Sequence, residues 1–336
     1  MKKITNLIIV FLMVCPLLFN GYAQENQKLA QTGFQFLSVV SDARAAAMAE
    51  AITSLQIGSS ALFFNPAGMA EMTNFIDVTG SNNQWIADIT HNTFSVAINP
   101  DRGNYGVLGF SIQSVNYGEF FGTVVNKDLP LGYEDTDKFE LSAIAMGIGY
   151  AKRLTDKFSV GGQVRWVRQD LGESVIPVIT VSDTGQTTVT NELSPLVFDF
   201  GTQYRTGIKS IVFGMSVRNF SKEVKYVEEG FQAPLVFSLG ISMNLMDLVE
   251  EATLNQKLFM CIDASHYRDH PEQIKIGLEY QLLDIVSLRG GYISGNEESG
   301  FTFGVGVSKF GFSFDYSYTP FGIFDNVQRM TARFTM

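Results

Sequence analysis

Residues 274–282 read IKIGLEYQL, and this stretch decides the fold because its apolar and polar residues alternate one by one. Isoleucine, leucine and tyrosine fill the even positions, whereas Lys275, Gly277, Glu279 and Gln281 fill the odd ones. Successive side chains of a β-strand point to opposite faces, so one face of this segment is apolar and the other is polar. The pattern predicts a strand whose two faces meet different environments.

The same alternation recurs at residues 235–243 (LVFSLGISM), 301–308 (FTFGVGVS) and 310–318 (FGFSFDYSY). Strands of soluble sandwiches usually run about five or six residues, whereas a tilted strand that crosses a bilayer needs about nine to eleven. After residue 23 no stretch approaches the roughly eighteen apolar residues that a spanning helix requires. We therefore predict an all-β fold, a transmembrane antiparallel β-barrel, in preference to a soluble sandwich.

Fourteen segments carry a strand pattern, and an even number is typical of bacterial barrels whose two termini lie in the periplasm. They are residues 73–81, 91–99, 104–116, 138–152, 157–170, 193–206, 210–220, 232–244, 257–266, 272–283, 285–294, 300–308, 310–319 and 327–336. The connections 117–137, 171–192, 221–231 and 320–326 are long and are predicted to be extracellular loops, and the tight turns are predicted to be periplasmic. The connection 245–256 is an exception, since it is long for a periplasmic turn and is predicted to hold a short helix.

Residues 1–23 are predicted to be a cleaved signal peptide, because Lys2 and Lys3 precede an apolar stretch and small residues stand near Ala23. Export and a barrel pattern together predict the cell outer membrane, with the lipid bilayer and lipopolysaccharide around the barrel. The acidic balance, a formal charge of −10, argues against nucleic acid as a partner. Cys261 is then the one cysteine of the exported chain, which excludes an intrachain disulfide.

The lumen of about fourteen strands is too wide for one layer of side chains, so it is either an open channel or plugged. Residues 24–72 lack membrane-length alternation but carry an alanine-rich helical run, DARAAAMAE at 42–50, followed by FFNPAGM at 63–69. A short helical segment with small side chains packs closely inside a barrel. We predict that residues 24–72 form a hatch in the lumen and that residues 73–336 form the barrel.

Three stretches of this N-terminal region resemble the signature of the PorV/PorQ family, barrels related to the fatty-acid transporter FadL: GFQFL at 33–37, DARAA at 42–46 and FNPA at 64–67. The motif residues are Gly33, Phe34, Asp42 and Arg44. The resemblance implies that Asn65, Pro66 and Ala67 belong to the lumen hatch of a FadL-like barrel. It also implies a role in type IX secretion, with secretion components or exported cargo as partners. The last strand resembles the C-terminal signal of the barrel assembly machinery, although Met336 replaces the usual terminal aromatic residue.

Charged residues fall on the predicted inner face of many strands, and two interpretations of them stay open. In the first, they pair with one another and with the hatch, since charges in the lumen need partners or water. In the second, they line a substrate pathway. These residues are Arg165, Asp199, Arg205, Arg218, Asp263, Lys275, Glu279, Arg289, Asp315, Arg329 and Arg333.

The sequence gives little indication of catalysis, metal binding or a cofactor. Residues 265–270 (SHYRDH) are the densest group of catalytic residue types, but Ser265 and His266 are neighbours on a strand and point to opposite faces. The acidic stretch 134–137 lacks the ligand spacing of a calcium loop and is predicted to be a solvated loop. No enzyme activity, metal or cofactor is predicted.

Two functions from different classes follow. One is a protein-interaction role, in which loops 117–137 and 171–192 hold exported cargo or a secretion component. The other is a FadL-like transporter of hydrophobic small molecules, in which the hatch around Asn65 shifts to release the ligand. The resemblance ranks the first ahead of the second, and the sequence names neither the cargo nor the ligand.

Overall fold

The computed structural model describes residues 32–126, 128–179, 184–226, 229–249, 256–295, 300–324 and 326–336. The predicted signal peptide, residues 1–23, and the first part of the predicted hatch, residues 24–31, lie outside the described residues.

The chain forms a large antiparallel sheet, and its strands β1 to β17 follow in chain order. The first nine are Ile76–Gln84, Thr90–Ile98, Val107–Val125, Tyr133–Arg153, Phe158–Ile179, Thr184–Leu193, Leu196–Arg205, Val212–Ser221 and Val224–Lys225. The remaining eight are Gly230–Phe231, Val236–Asn244, Gln256–Tyr267, Gln273–Leu282, Val286–Ile293, Phe301–Lys309, Phe312–Thr319 and Val327–Thr335.

The sheet closes on itself. It runs in the order β4-β3-β2-β1-β17-β16-β15-β14-β13-β12-β11-β8-β7-β5, and β4 pairs with β5 to complete the ring. Strand β6 extends β5 beyond the ring, and β9 and β10 pair only with each other. The ring is therefore a closed antiparallel barrel of fourteen strands, which confirms the predicted fold class and strand number.

The period-two pattern explains which side chains face outward. In β13 Lys275 and Glu279 are 2% and 0% exposed and point into the lumen, whereas Ile274 and Leu278 are 38% and 36% exposed. The outer faces of β15 and β16 are formed by Phe301, Phe303, Val305, Val307, Phe312 and Phe314, all more than 45% exposed. An apolar belt on the outside of a closed sheet is what lipid contact requires. Within the described part of the chain, none of the helices has the length and apolar character needed to cross a membrane.

The connections divide the barrel into two ends. One end has the tight turns after β4, β13 and β15 and is called the short-turn end. The start of β1 and the end of β17 also meet there, where Ile76 and Met336 exchange backbone hydrogen bonds at 3.0 Å. The opposite end, here the hairpin end, carries the long connections. As predicted, the connection after β11 begins with a short 3-10 helix, Leu245–Leu248.

The predicted loops 117–137 and 171–192 are mostly strand in the part that the structure describes, so the strand limits predicted beside them are wrong. Strands β3 and β4 continue past the ring as a two-stranded ribbon, and β5 and β6 form a second one. Each ribbon leaves the ring through a bulge of the same construction, in which Asn116 or Asp170 accepts from the N–H of Gly118 or Gly172. Both glycines take positive φ, 79° and 76°. The bulges turn the ribbons away from the wall, and the two segments pair with themselves instead of forming loops.

Residues 32–72 lie inside the barrel, between the hairpin end at Thr32 and the short-turn end at Met72. Their regular elements are one α-helix, α1 (Ala43–Ala47), and the 3-10 helices Gln35–Ser38, Gly58–Phe63 and Pro66–Met69. The described part of this segment, residues 32–72, is called the hatch below.

Candidate functional site

The hatch enters the lumen at the hairpin end, beside the segment that connects β10 to β11. Thr32 forms a parallel bridge with Gln232, and the Gly33 N–H donates to the Gln232 carbonyl at 3.1 Å. A Cβ at Gly33 would lie 2.2 Å from the Phe231 ring, so any side chain there displaces that ring. Phe34 follows with a φ of 56° and is 1% exposed. Burial of its ring, 5.9 Å from that of Phe231, offsets the strain of a left-handed residue.

Asp269, in the loop after β12, ties the first residues of the hatch to the wall. Its carboxylate accepts hydrogen bonds from Thr32 Oγ1 and Gln35 Nε2, each at 2.5 Å, and lies 2.7 Å from His270 Nδ1. Burial alone would raise the pKa of Asp269, but the hydrogen bonds outweigh it and hold the pKa well below its usual range. The contribution of this contact to stability is therefore present at neutral pH and is lost only as the pH falls below the range of an ordinary carboxyl.

Helix α1 begins at the predicted motif residue Asp42. Asp42 is the N-cap, since its Oδ1 accepts from the Ala45 N–H at 2.8 Å, and its Oδ2 accepts from Ser60 Oγ at 2.9 Å. At the other end Thr302 Oγ1 donates to the Ala47 carbonyl at 3.0 Å. All four alanines of the helix are 4% exposed or less, so their small side chains bring the helix backbone close to the wall.

The predicted motif residue Arg44 points from α1 into a chain of charges on the wall. Its Nη2 lies 2.6 Å from Glu279 Oε2, while Arg289 Nε lies 2.8 Å from Glu279 Oε1. Arg289 Nη1 then lies 2.6 Å from Asp315 Oδ1. Glu279 is 0% exposed and both its oxygens bind an arginine, so this carboxylate joins the hatch to the wall.

A strained turn follows α1. Ala49 and Glu50 both take positive φ, 53° and 62°, a conformation that costs an L-residue of order 1 kcal/mol. Lys275, which is 2% exposed, donates to Glu50 at 2.5 Å and to Tyr267 Oη at 2.7 Å. The buried ammonium therefore holds the turn against the wall of β13.

Asn65, Pro66 and Ala67 are buried in the short-turn half of the lumen. The Asn65 side chain accepts from the Ala67 N–H at 3.1 Å, which starts the 3-10 helix with Pro66 at its first position. Its amide donates to the Thr53 carbonyl at 2.7 Å and to the Thr202 carbonyl of β7 at 3.1 Å. One side chain therefore caps a helix, closes the hatch on itself and joins it to the wall.

Glycines on the inner wall give the hatch its space. A Cβ added at Gly201 would lie 1.8 Å from Asn65 Oδ1, and one at Gly161 would lie 2.5 Å from the Ala67 nitrogen. At four more wall glycines an added Cβ would lie within 2.7 Å of a backbone atom or a Cβ of the hatch, namely Gly214, Gly277, Gly291 and Gly304. Because real Cβ atoms do not approach other atoms so closely, any side chain at these six positions displaces the hatch. We call the six residues the glycine cradle.

Further polar contacts fix the hatch at the short-turn end. Asp77 of β1 accepts from Ser59 Oγ at 2.6 Å and pairs with Arg333 of β17 at 2.6 Å. Glu71 lies 3.1 Å from Arg205 and 3.5 Å from Arg153. The last turn of the hatch is thus bound to the strands on both sides of it.

Two small cavities lie between the described part of the hatch and the wall. The larger of these two has a volume of about 20 Å³. Its lining includes apolar Leu37 and Phe64 and the cation Arg218, whose Nη1 donates to the Phe63 carbonyl at 2.8 Å. Cavities that hold benzene measure about 150 Å³, so this cavity is too small for such a molecule.

The predicted inward charges do pair with one another and with the hatch. Arg165 and Asp199, for example, lie 2.8 Å apart and are 5% and 1% exposed. The sequence did not reveal the glycine cradle, because glycines are frequent in this chain, and only the position of the hatch distinguishes those that face it. The alternation of Gly277 with Ile276 and Leu278 was the available signal that this glycine faces inward.

The residues at 265–270 are divided between the two faces of β12 and the loop. Ser265 is 4% exposed and contacts Ser238 Oγ at 3.0 Å inside the barrel. His266 faces outward, with Nδ1 at 3.0 Å from Glu272. Within the residues the structure describes, no three histidine, cysteine, aspartate or glutamate side chains form a group that could hold a metal ion.

Comparison with known proteins gives a structural likeness only. No family model matches the chain, and no curated protein sequence matches it. Similar solved structures include the toluene transporter TbuX of Ralstonia pickettii, with 13% identity, a TM-score of 0.57, and 88% of this chain and 98% of that chain covered. The monoaromatic hydrocarbon channel CymD gives 11% identity, a TM-score of 0.58 and coverage of 88% and 97%. A FadL homologue of Pseudomonas aeruginosa gives 12% identity, a TM-score of 0.54 and coverage of 88% and 98%.

At these identities the likeness establishes the fold. A closed barrel of this fold, with an apolar outer face, is an outer-membrane barrel, as predicted. The narrower PorV/PorQ assignment stays a prediction. The chain therefore has the fold of the FadL-like outer-membrane barrels, with fourteen strands around a lumen that its own N-terminal segment fills.

Proposed function

We propose that this barrel is an outer-membrane channel for small hydrophobic molecules and that the hatch closes it. The observation that carries the proposal is that residues 32–72, which lie in the lumen, contact the wall through ion pairs, hydrogen bonds and packing. Such contacts can be broken and remade, whereas a lumen filled by the wall itself could not open. Similar folds described as a toluene transporter and a monoaromatic hydrocarbon channel support this substrate class.

The orientation follows from the two ends of the barrel. Bacterial barrels keep short turns in the periplasm and long connections outside. The hairpin end, where the hatch enters beside Phe231, then faces the exterior, and the short-turn end faces the periplasm. A hydrophobic molecule arriving from outside first meets the apolar residues around Phe34, including Phe36, Leu37 and Val115.

A reversible lock between hatch and wall tests whether the hatch moves. In a Cys261→Ala background we substitute Ser59→Cys in the hatch and Ser95→Cys in β2, because the two hydroxyl oxygens lie 3.0 Å apart. A disulfide holds its two sulfurs about 2.05 Å apart, so the two side chains have to approach each other by about 1 Å. We expect the oxidised barrel to take up radiolabelled toluene no faster than cells without the barrel, and a reductant to restore uptake.

The two single-cysteine variants are the matched controls, since they carry the same substitutions and cannot form the bond. Formation of the disulfide is checked by gel mobility before uptake is measured. Equal uptake by the oxidised and reduced double variant would show that transport does not require the hatch to shift.

A second candidate function rests on the two ribbons at the hairpin end. The tip of the β3–β4 ribbon exposes apolar side chains to water: Phe121 is 70% exposed, Val125 76% and Leu131 75%. Exposed apolar groups on a projecting element favour contact with another protein. A role in type IX secretion, predicted from the family resemblance, would use this surface.

Co-purification distinguishes the second candidate. If the ribbon binds secretion components or cargo, barrel extracted gently from outer membranes retains them, and the triple variant Phe121→Ser, Val125→Ser, Leu131→Ser loses them. The control variant is Phe314→Ser, which makes the same kind of substitution at a lipid-facing residue. Recovery of the same partners with both variants would exclude the ribbon tip as their binding surface.

A further inference from the structure

The outer face of the barrel carries a groove where the first strand meets the last. Two of the smallest residues stand opposite each other there, Gly80 of β1 and Ala332 of β17. Phe314 of β16 pairs with Ala332 and Val307 of β15 pairs with Phe314, so one row of small and large side chains crosses four strands. A Cβ at Gly80 would meet only the Phe94 ring, at 4.0 Å. The outer surface at Gly80 is therefore recessed relative to the neighbouring side chains and forms the floor of the groove.

The adjacent row, one step closer to the short-turn end, forms the rim of the groove. Its members Val78, Phe334, Phe312 and Lys309 are register partners in that order. The rings of Phe312 and Phe334 lie 4.7 Å apart. The groove has a volume of about 400 Å³, within the range of small-molecule sites. Its walls are almost entirely apolar, and Lys309 stands at one end.

The surroundings decide which kind of molecule covers the groove. It lies on the lipid-facing side of the wall, so its occupant is either a lipid or another membrane protein. The single ammonium at the rim selects a ligand with an apolar body and an anionic head. Lys152 and Lys157 also border a short turn, whereas Arg153 and Arg205 pair with Glu71 and Lys257 pairs with Asp284. Lysines at this end of the barrel lie where the phosphate groups of a membrane leaflet would meet them.

We propose that the groove binds a glycerophospholipid of the inner leaflet of the outer membrane, with an acyl chain over Gly80 and Ala332 and its phosphate at Lys309. The turn after β15 places the ammonium where the phosphate lies. Phe310 and Gly311 both take positive φ, 54° and 82°, so the chain reverses in two residues directly after Lys309. The Lys309 Nζ lies 5.0 Å from the Phe310 ring centroid, and Phe310 is 86% exposed at the membrane surface. The leaflet follows from the orientation proposed above, but lipid binding does not depend on transport.

Native mass spectrometry tests the site with dioleoyl phosphatidylglycerol as the probe, because its head group carries one net negative charge. Purified barrel in mild detergent is titrated with this lipid, and the fraction carrying one lipid is measured. We expect Gly80→Leu, which fills the floor, and Lys309→Glu, which reverses the charge, each to weaken binding. For Lys309→Glu the expected change is about fivefold or more, the factor that corresponds to about 1 kcal/mol per basic residue near a membrane surface.

Two matched variants separate the groove from general effects on folding. Gly290 also faces outward, and a Cβ there meets only the Thr302 carbonyl at 3.8 Å, so Gly290→Leu adds the same side chain elsewhere. Lys209→Glu makes the same charge reversal at another short turn. Both are expected to bind lipid as the unaltered barrel does.

Equal lipid binding by the unaltered barrel and by Gly80→Leu would overturn the proposal. A dimer that Gly80→Leu dissociates would also overturn it, since a second copy of the chain would then cover the groove. Failure of uptake in the hatch-lock experiment leaves the lipid measurement unaffected, so the two proposals can fail separately.

Discussion

Replacing Glu279 with alanine is expected to release the hatch and to open the lumen to ions. Glu279 is fully buried and holds Arg44 of the hatch and Arg289 of the wall, at 2.6 and 2.8 Å. Removing it leaves the buried Arg289 and the half-buried Arg44 without that shared partner. Breaking a buried ion pair from one side typically costs about 3–5 kcal/mol, because the remaining charge is uncompensated. The hatch gives way before the wall does, since the ladder of backbone hydrogen bonds around the barrel is untouched.

Two measurements check this result. Single-channel conductance in planar bilayers is expected to appear or to rise sharply in Glu279→Ala, and the midpoint of thermal unfolding in detergent is expected to fall. Asp284→Ala is the matched control, since Asp284 pairs with Lys257 at 2.7 Å but both side chains are about half exposed. Such surface pairs are worth about 0–1 kcal/mol. A closed Glu279→Ala barrel with an unchanged midpoint would mean that the charge network does not hold the hatch.

Adding a single methyl group at Gly201 is expected to displace the segment around Asn65. The new Cβ would lie 1.8 Å from Asn65 Oδ1, which cannot retreat without losing its bond to the Ala67 N–H or moving the 3-10 helix. Overpacking of a filled interior costs about 1–3 kcal/mol, and more where the neighbour is fixed by hydrogen bonds. Hydrogen exchange of the amides in residues 63–69, followed by mass spectrometry, is expected to become faster in Gly201→Ala.

The neighbouring strand offers the control. Gly162 faces outward opposite Phe200, and a Cβ there meets nothing closer than 3.4 Å, so Gly162→Ala is expected to leave exchange unchanged. A double variant identifies the clashing atom. Asn65→Ala removes Oδ1, so combining it with Gly201→Ala is expected to cost less than the sum of the two single changes. Additive costs would show that Gly201 acts through another contact.

The wall of the barrel was predictable because the alternation of apolar and polar residues in each strand matches the environments of its two faces. In residues 274–282 the even side chains meet lipid and the odd ones meet the lumen, and this difference is visible residue by residue in the sequence. The strand number and the inward charges followed from it. The predicted limits 104–116, 138–152 and 157–170 are too short at the hairpin end, since β3 to β5 continue there into the ribbons. A two-stranded ribbon in water alternates as well, and its valines and threonines favour strand beyond the ring.

The hatch contacts were not predictable, although its location was. Asp42 as an N-cap and Asn65 before a proline follow from local rules, since each binds backbone within three residues. The partners of Arg44 and Lys275 lie more than two hundred residues away along the chain, at Glu279 and Glu50. The sequence shows that such charges need partners, but not which carboxylate serves which cation.

The sequence by itself thus determined the alternation, the fourteen strands, which face of each strand is apolar and which is polar, and the presence of a non-strand segment able to fill the lumen. Only the tertiary structure decided how closely the hatch packs against the wall, which wall glycines cradle it, and that Gly80 and Ala332 meet on the outer face. The physical reason is that strand faces are set by local side-chain chemistry, whereas these contacts depend on closure of the ring. Closure brings β1 beside β17 and places residues 32–72 against strands from the whole length of the chain.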